Sequence, residues 1–161
     1  MIAVLSLGSN LGDPAMHLQK ALDSFGPGLV ATSRFYRTSP VGGPQQDDFL
    51  NCIALVEIEQ AHESLTIAQW LEDNAGRERN ERWGPRTLDV DVITIHNGTG
   101  DVVSHNPSLT LPHPRAHERL FVLVPWAEVE PDAVLPGHGP VAELIETVRA
   151  QDTTQVVEVA Q

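Results

Sequence analysis

The sequence predicts an α+β protein, a mainly antiparallel ferredoxin-like sheet with helices packed on it in three α/β/α layers. Three observations carry this. Apolar residues alternate over 49–58, the rhythm of a strand. They recur at helical spacing over 14–25, 61–74 and 141–148. Up to residue 96 these segments run strand, helix, strand, strand, helix, strand. A length of 161 residues with 41% hydrophobic content fits one domain, 1–161, with a proper core.

Residues 2–7 are a short apolar run and read as a central strand, turned by Gly8-Ser9-Asn10-Leu11-Gly12. Asp13 can cap a helix that Pro14 opens; Leu18, Ala21, Leu22 and Phe25 form its stripe, and Gly26-Pro27-Gly28 stops it. Residues 29–37, rich in Val, Thr, Phe and Tyr, predict a second strand. Residues 38–48 hold two Pro and two Gly and predict a loop long enough to imply function. In 49–58, Leu50, Cys52, Ala54, Val56 and Ile58 share one face, which puts Phe49 and Asn51 on the other. A helix over 61–74 would turn Leu65, Ala68, Leu71 and Ala75 inward and end at Gly76. Glu72 falls within that stripe, so it is paired or functional, with Arg77 a candidate partner. Residues 87–96 predict a strand with Leu88, Val90 and Val92 facing the core. Asn97-Gly98 turns it into an edge strand, 101–103. Residues 106–115 carry three prolines and predict extended loop. A short helix over 119–127, a turn at 136–140, a helix marked by Val141, Leu144, Ile145 and Val148, and a strand at 156–159 complete the chain.

Net charge is −12, and Lys20 is the only lysine. This excludes a general binder of nucleic acid or anionic membrane, which needs a basic face. It also makes the arginines of 77–86 a local exception that needs a local reason. Cys52 is the only cysteine, so no internal disulfide forms, a reducing compartment is expected, and the residue reads as buried packing. Without a basic leader or an apolar run near the roughly 18 residues of a membrane span, a cytoplasmic location is expected.

The most informative stretch is Arg82-Trp-Gly-Pro-Arg-Thr-Leu-Asp-Val-Asp91. On a strand, Asp89 and Asp91 point the same way, with Cα atoms roughly 6.5–7 Å apart. Two carboxylates so placed repel unless a cation lies between them, and Mg²⁺ is held by such a pair together with substrate phosphates. Arg79, Arg82 and Arg86 stand just before the pair in a loop broken by Gly84 and Pro85. Guanidiniums for phosphate beside carboxylates for metal are the parts of a phosphoryl-transfer site. There is no P-loop motif, so arginines and metal would have to hold the phosphates. His113 and His117 have zinc-like spacing without matching ligands nearby. His113, between Pro112 and Pro114, reads as a rigid phosphate donor or as a turn residue. Phe49, Phe121 and Trp83 adjoin polar loops, where aromatics either stack on a planar ligand or fill the core.

The decapeptide ending at Asp91 resembles the signature of the 6-hydroxymethyl-7,8-dihydropterin pyrophosphokinase family. Leu7-Gly-Ser-Asn-Leu-Gly12 resembles that family's opening turn. Tyr36-Arg-Thr-Ser-Pro40 through Gln46-Asp-Asp-Phe-Leu-Asn51 resembles its pterin loop and strand. Pro112-His-Pro-Arg115 with Glu118-Arg-Leu-Phe121 resembles a later motif. The resemblance implies transfer of a pyrophosphoryl group from ATP to the pterin hydroxymethyl oxygen, with AMP released, served by two Mg²⁺ ions on Asp89 and Asp91. It implies a catalytic role for Arg77 and Arg86 beside the two aspartates. Contacts to ATP would come from Gln69, Arg79, Arg82, Trp83, Arg86, Thr110, His113, Arg115 and Arg119. Phe49 and Phe121 would sandwich the pterin, with Thr38, Ser39, Val41, Asn51, Trp83 and Asp89 around it. Trp83 would close over the site. A monomer acting on small molecules is expected. Two readings compete: another Mg-dependent nucleotidyl transferase on a ferredoxin-like fold, which would release pyrophosphate, and a non-catalytic ligand-binding domain. Ser108 stands where some family members carry a basic residue, and Leu120 where a small residue is usual.

Overall fold

In the computed structural model, which describes residues 1–40, 45–76 and 87–160, the first apolar run forms β1 (Ile2–Ser9). Helix α1 (Pro14–Ser24) starts where the Asp13 side chain accepts the Met16 N–H, with Pro14 in its first turn. It passes through a 3₁₀ turn, Gly26–Gly28, into β2 (Leu29–Thr32). The strand expected over 29–37 is broken, and β3 (Tyr36–Thr38) is separate. Ser33 causes the break: its hydroxyl accepts the Ile53 N–H at 2.9 Å, a side chain doing what ladder backbone would otherwise do.

Strand β4 (Phe49–Glu57) leads to α2 (Ala61–Asn74), which opens on a capping box between Gln60 and Glu63. Next come β5 (Asp89–Asn97) and β6 (Gly100–Asp101). The proline-rich stretch expected as loop contains a hairpin arm: β7 (Ser104–Asn106) pairs with β8 (Leu109–Leu111). After a 3₁₀ turn, Ala116–Glu118, come α3 (Leu120–Val129), the two-residue strands β9 (Val134–Leu135) and β10 (Gly139–Pro140), α4 (Val141–Gln151) and β11 (Val157–Val159).

The main sheet runs β11-β3-β4-β1-β5-β6, with β2 also on β4, and every pairing is antiparallel. Because side chains alternate, its central strands feed two cores. Leu5, Leu7, Cys52, Ala54, Val90 and Val92 pack with Leu18 and Leu22 of α1 and Ala68 and Leu71 of α2. Val4, Ile53, Leu55 and Ile93 pack on the opposite side with Leu120, Leu123 and Trp126 of α3 and Val141 and Val148 of α4. This is the expected three-layer α/β/α arrangement. Cys52 is fully buried, and burial pushes its thiol up to about 12, so it is packing and not a nucleophile.

The inward stripe of α2 differs in one place. Ser64 is buried, with its hydroxyl donating to the Ala61 carbonyl, whereas Leu65 is only half-buried. Glu72 is buried in the stripe as expected, and its Oε1 accepts the Val90 N–H at 2.9 Å. That bond ties the helix to the strand carrying the two aspartates. Arg77, its expected partner, lies outside the described residues. No helix among the described residues is long and apolar enough to cross a membrane.

Across the other face, Glu128 of α3 joins the sheet. Its Oε1 accepts from Arg34 Nε at 2.7 Å and from the Tyr36 hydroxyl, and its Oε2 accepts the Arg34 N–H at 2.6 Å. Partial burial raises the Glu128 pKa, but the hydrogen bonds from Tyr36 and Arg34 outweigh it and leave the carboxyl below its ordinary value. A carboxyl lowered on folding contributes stability above its unfolded pKa, and that contribution is lost as pH falls through the folded value. Glu128→Gln should therefore lower the melting temperature at pH 7. The gap to the parent protein should shrink as pH drops toward 3; a constant gap across that range would show that the charge is irrelevant.

Candidate functional site

Four strand ends meet at one edge of the sheet. Gly8 of β1 pairs with Asn51 of β4 on one side and with Asp89 of β5 on the other; Ser6, two residues back, pairs with Ile53 and Asp91. Thr38 of β3 pairs with Phe49 of β4. Alternation places Phe49, Asn51, Thr38, Asp89 and Asp91 on the α3 side, since Ile53, Leu55 and Ile93 in the same phase belong to that core. The two expected ligand carboxylates and the expected aromatic and amide contacts are therefore neighbours, although about 40 residues separate them in sequence.

Gly8 makes this possible. A Cβ built there would lie 2.4 Å from Asn51 Oδ1 and 3.7 Å from Phe49 Cδ1. The sequence predicts a turn at Gly8, but β1 continues through Ser9. A glycine inside a strand marks a close approach of other groups, and that signal was available in the sequence. Asn51 is 4% exposed and its Nδ2 donates to Thr38 Oγ1 at 2.6 Å. With the amide nitrogen engaged, Oδ1 is presented over Gly8 as an acceptor.

A second group arrives from the α3 side. The ladder between β1 and β5 pairs Val4 with Thr94 and Leu5 with Val92, so Ile93 is an extra residue, a β-bulge. The Ile93 carbonyl accepts the His113 N–H at 2.8 Å, which fixes His113 beside the strand. His113 Nε2 then lies 3.9 Å from Asp91 Oδ1, and Arg119 Nη1 lies 3.7 Å from Asp91 Oδ2. The Arg119 guanidinium also sits over the Phe121 ring, 5.4 Å from its centroid. Burial pushes the His113 pKa down to about 4, and the Arg119 and Arg115 guanidiniums push the same way. Because His113 Nδ1 accepts the Arg115 N–H at 3.2 Å, the neutral ring carries its proton on Nε2 and presents a donor to this face.

Other expected residues are more dispersed. Thr110 lies in β8, its hydroxyl donating to the Asn106 carbonyl, and β8 packs against β5. Arg115 is exposed just after His113. Gln69 is exposed on α2. Ser39 follows β3. Val41, Arg77, Arg79, Arg82, Trp83 and Arg86 lie outside the described residues. Leu120 has a clear structural role: it is 2% exposed in the core beneath α3.

The donor set fits Mg²⁺. Asp89 and Asp91 are hard carboxylates on one face, and Mg²⁺ takes one or two of these and fills its octahedron with phosphate oxygens and water. Among the described residues no cluster of three or more acidic, His or Cys side chains could supply a closed structural metal site.

A family model for 7,8-dihydro-6-hydroxymethylpterin-pyrophosphokinase matches residues 4–131. Proteins named 2-amino-4-hydroxy-6-hydroxymethyldihydropteridine pyrophosphokinase are similar along most of the chain. That of Mycobacterium leprae is 46% identical over 144 residues, covering 84% of this chain and 75% of the relative. That of Mycobacterium tuberculosis is 41% identical over 163 residues, covering 95% and 87%. That of Haemophilus influenzae is 38% identical over 148 residues, covering 89% and 90%. Two crystal structures share the fold. One is of HPPK-DHPS in complex with substrates, with a TM-score of 0.67 at 11% identity over 93% of this chain. The other is of Plasmodium falciparum HPPK-DHPS with SDX-DHP, with a TM-score of 0.63 at 13% identity over 93% of this chain. The present chain spans 45% and 44% of the length of those two solved chains.

The close approach at Gly8 can be checked without any ligand. Gly8→Ala should destabilise the fold by about 1–3 kcal/mol through overpacking. In an Asn51→Ala background the same substitution should cost far less, because the opposing Oδ1 is gone. Equal costs in both backgrounds, measured by urea unfolding, would remove Asn51 as the reason for the glycine.

Proposed function

Because the chain belongs to the 7,8-dihydro-6-hydroxymethylpterin-pyrophosphokinase family, we propose that the acidic face at the ends of β1, β4 and β5 is where its reaction takes place. The enzyme transfers pyrophosphate from ATP to 6-hydroxymethyl-7,8-dihydropterin, giving the pterin diphosphate and AMP, a step of folate biosynthesis. One observation carries the assignment of the site. The register of β1 places the pair Asp89 and Asp91 beside Asn51 and Phe49 with no side chain at Gly8 between them.

The pterin lies over Gly8. Its ring stacks between Phe49 and Phe121, and a ring N–H donates to Asn51 Oδ1, whose orientation Thr38 holds. Backbone around Thr38, Ser39 and Val41 completes the ring's edge. Asp89 and Asp91 would hold Mg²⁺, two ions as the family resemblance implies, and the metal would supply neutralisation of the phosphate charge. Asp89, nearest the pterin side of the pair, faces that hydroxyl. Arg119 and the Nε2–H of neutral His113 approach Asp91 from the segment between β8 and α3 and donate to the triphosphate there, joined by Thr110, Arg115 and Gln69. Arg77, Arg79, Arg82, Trp83 and Arg86 supply further phosphate contacts and the cover that excludes water. Residues 1–161 act as one domain and as a monomer, in the cytoplasm, on two small molecules.

Incubation with ATP, Mg²⁺ and hydroxymethyl-dihydropterin should release AMP in step with pterin diphosphate. Pyrophosphate release instead would mark a nucleotidyl transferase, and no turnover a binding domain. Asp89→Asn and Asp91→Asn should each lower turnover by at least ~10²–10³, about 3–4 kcal/mol in the barrier, while the fold survives. Near-normal turnover in both would end the metal-ligand assignment. Phe49→Ala and Phe121→Ala should each weaken pterin binding by about 1–3 kcal/mol and leave ATP binding nearly unchanged. Calorimetry showing unchanged pterin affinity would make them ordinary packing residues.

A further inference from the structure

Past residue 131, where the family match ends, the segment 152–159 touches both walls of the pterin site. One wall is the end of β3. Val157 pairs with Thr38 in the antiparallel ladder between β11 and β3. The Ser39 N–H donates to the Val156 carbonyl at 3.0 Å, and the Val156 N–H donates to Ser39 Oγ at 3.0 Å. The Ser39 hydroxyl in turn donates to the Thr154 carbonyl at 3.3 Å. The other wall is the start of α3, which carries Phe121 directly after Leu120. Its N-cap, Arg119, makes no side-chain capping bond. The first helical N–H, that of Leu120, instead donates to Gln155 Oε1 at 2.9 Å. Gln155 Nε2 donates to the Glu118 carbonyl at 2.9 Å and to Asp152 Oδ2 at 3.1 Å. Asp152 is itself fixed, because its Oδ1 accepts from both the N–H and the hydroxyl of Thr154.

Gln155 is thus a helix cap supplied from 35 residues away in sequence, and the residue next to it is bonded to Ser39. Helix N-termini leave their first N–H groups unsatisfied, and the group that satisfies them fixes where the helix begins. We propose that Gln155 is a positioning residue for the pterin: with Val156 on Ser39, it sets the separation between the β3 wall and the Phe121 wall. This rests on the reading of Phe121, Thr38 and Ser39 as pterin contacts. On the phosphate side Asp89, Asp91 and His113 are held by β5 and its bulge, whereas Arg119 stands between the two residues that Gln155 bonds, so pterin should be affected more than ATP.

The test is steady-state kinetics of Gln155→Ala and Gln155→Glu, with melting temperatures and a Phe121→Ala control. Gln155→Ala removes all three side-chain bonds. Gln155→Glu keeps an acceptor for Leu120 but loses the donor to Glu118 and sets a carboxylate beside Asp152. Expected is a pterin KM raised about tenfold in Gln155→Ala and by a smaller factor in Gln155→Glu, with the KM for ATP, which senses the cap only through Arg119, raised by no more than about threefold and both variants folded. A purely structural cap would change both KM values together or lower only the melting temperature, and either result overturns the proposal. So does a pterin KM within twofold of the parent in both variants. Should Gln155→Ala fail to fold, Gln155→Glu alone decides by the same split. If Phe121→Ala raises the pterin KM and the Gln155 variants do not, the clamp is wrong and the site stands. If Phe121→Ala leaves it unchanged, the pterin site itself is misplaced and the clamp falls with it.

Discussion

Strand β1 hydrogen-bonds to β4 on one side and to β5 on the other along almost its whole length, and the placement of the site follows from that register. Gly8 meets Asn51 and Asp89, and Ser6 meets Ile53 and Asp91. A slip of one residue would turn Asp89 and Asp91 into the core between the sheet and α1–α2, where two unpaired carboxylates are prohibitively costly. The register is held by burial on both faces. Leu5 and Leu7 are fully buried on one side and Val4 on the other, so a slip would exchange leucines for Ser6 and Gly8 in the α1–α2 core. The same packing that stabilises the sheet therefore decides where the acidic groups emerge.

One irregularity in that ladder has a use. The extra residue at Ile93 costs a ladder pairing, but it releases a carbonyl that captures the His113 backbone. The chain between β8 and α3 is thereby pinned against β5, and His113 and Arg119 arrive at Asp91 from a part of the chain that no helix or strand period would have brought there. Glu72 acts from the opposite face, its carboxylate holding the Val90 N–H between the two aspartates. The acidic strand is thus held from both sides by polar bonds, while its apolar residues hold the two cores.

Charge is distributed to match. The chain as a whole is strongly acidic, so the proposed phosphate site would need a local concentration of donors. Arg119 supplies a cation that is partly neutralised by Asp91 and spread over the Phe121 ring. His113 supplies a neutral donor, kept neutral by burial and by the two neighbouring guanidiniums. A neutral imidazole near a carboxylate pair leaves the negative field available to a divalent cation, which a second fixed positive charge would weaken.

By itself the sequence determined the element types, the three-layer architecture, the shared face of Asp89 and Asp91, and the family. These follow from local periods, capping residues such as Asp13 and Pro14, and one specific decapeptide, all of which act between near neighbours. It misjudged what depends on distant partners. The 29–37 strand breaks because Ser33 bonds to Ile53, and the proline-rich 106–115 stretch contains β8 because β7 is there to pair with it. Gly8 looked like turn punctuation until Asn51 was seen across the ladder, and Leu120 had no rationale until its side chain met the core and its N–H met Gln155. Only the tertiary structure could decide these points, because apart from the local β7–β8 arm, which its prolines disguised, each is a contact between groups 20 or more residues apart and leaves no periodic trace in the residues that make it.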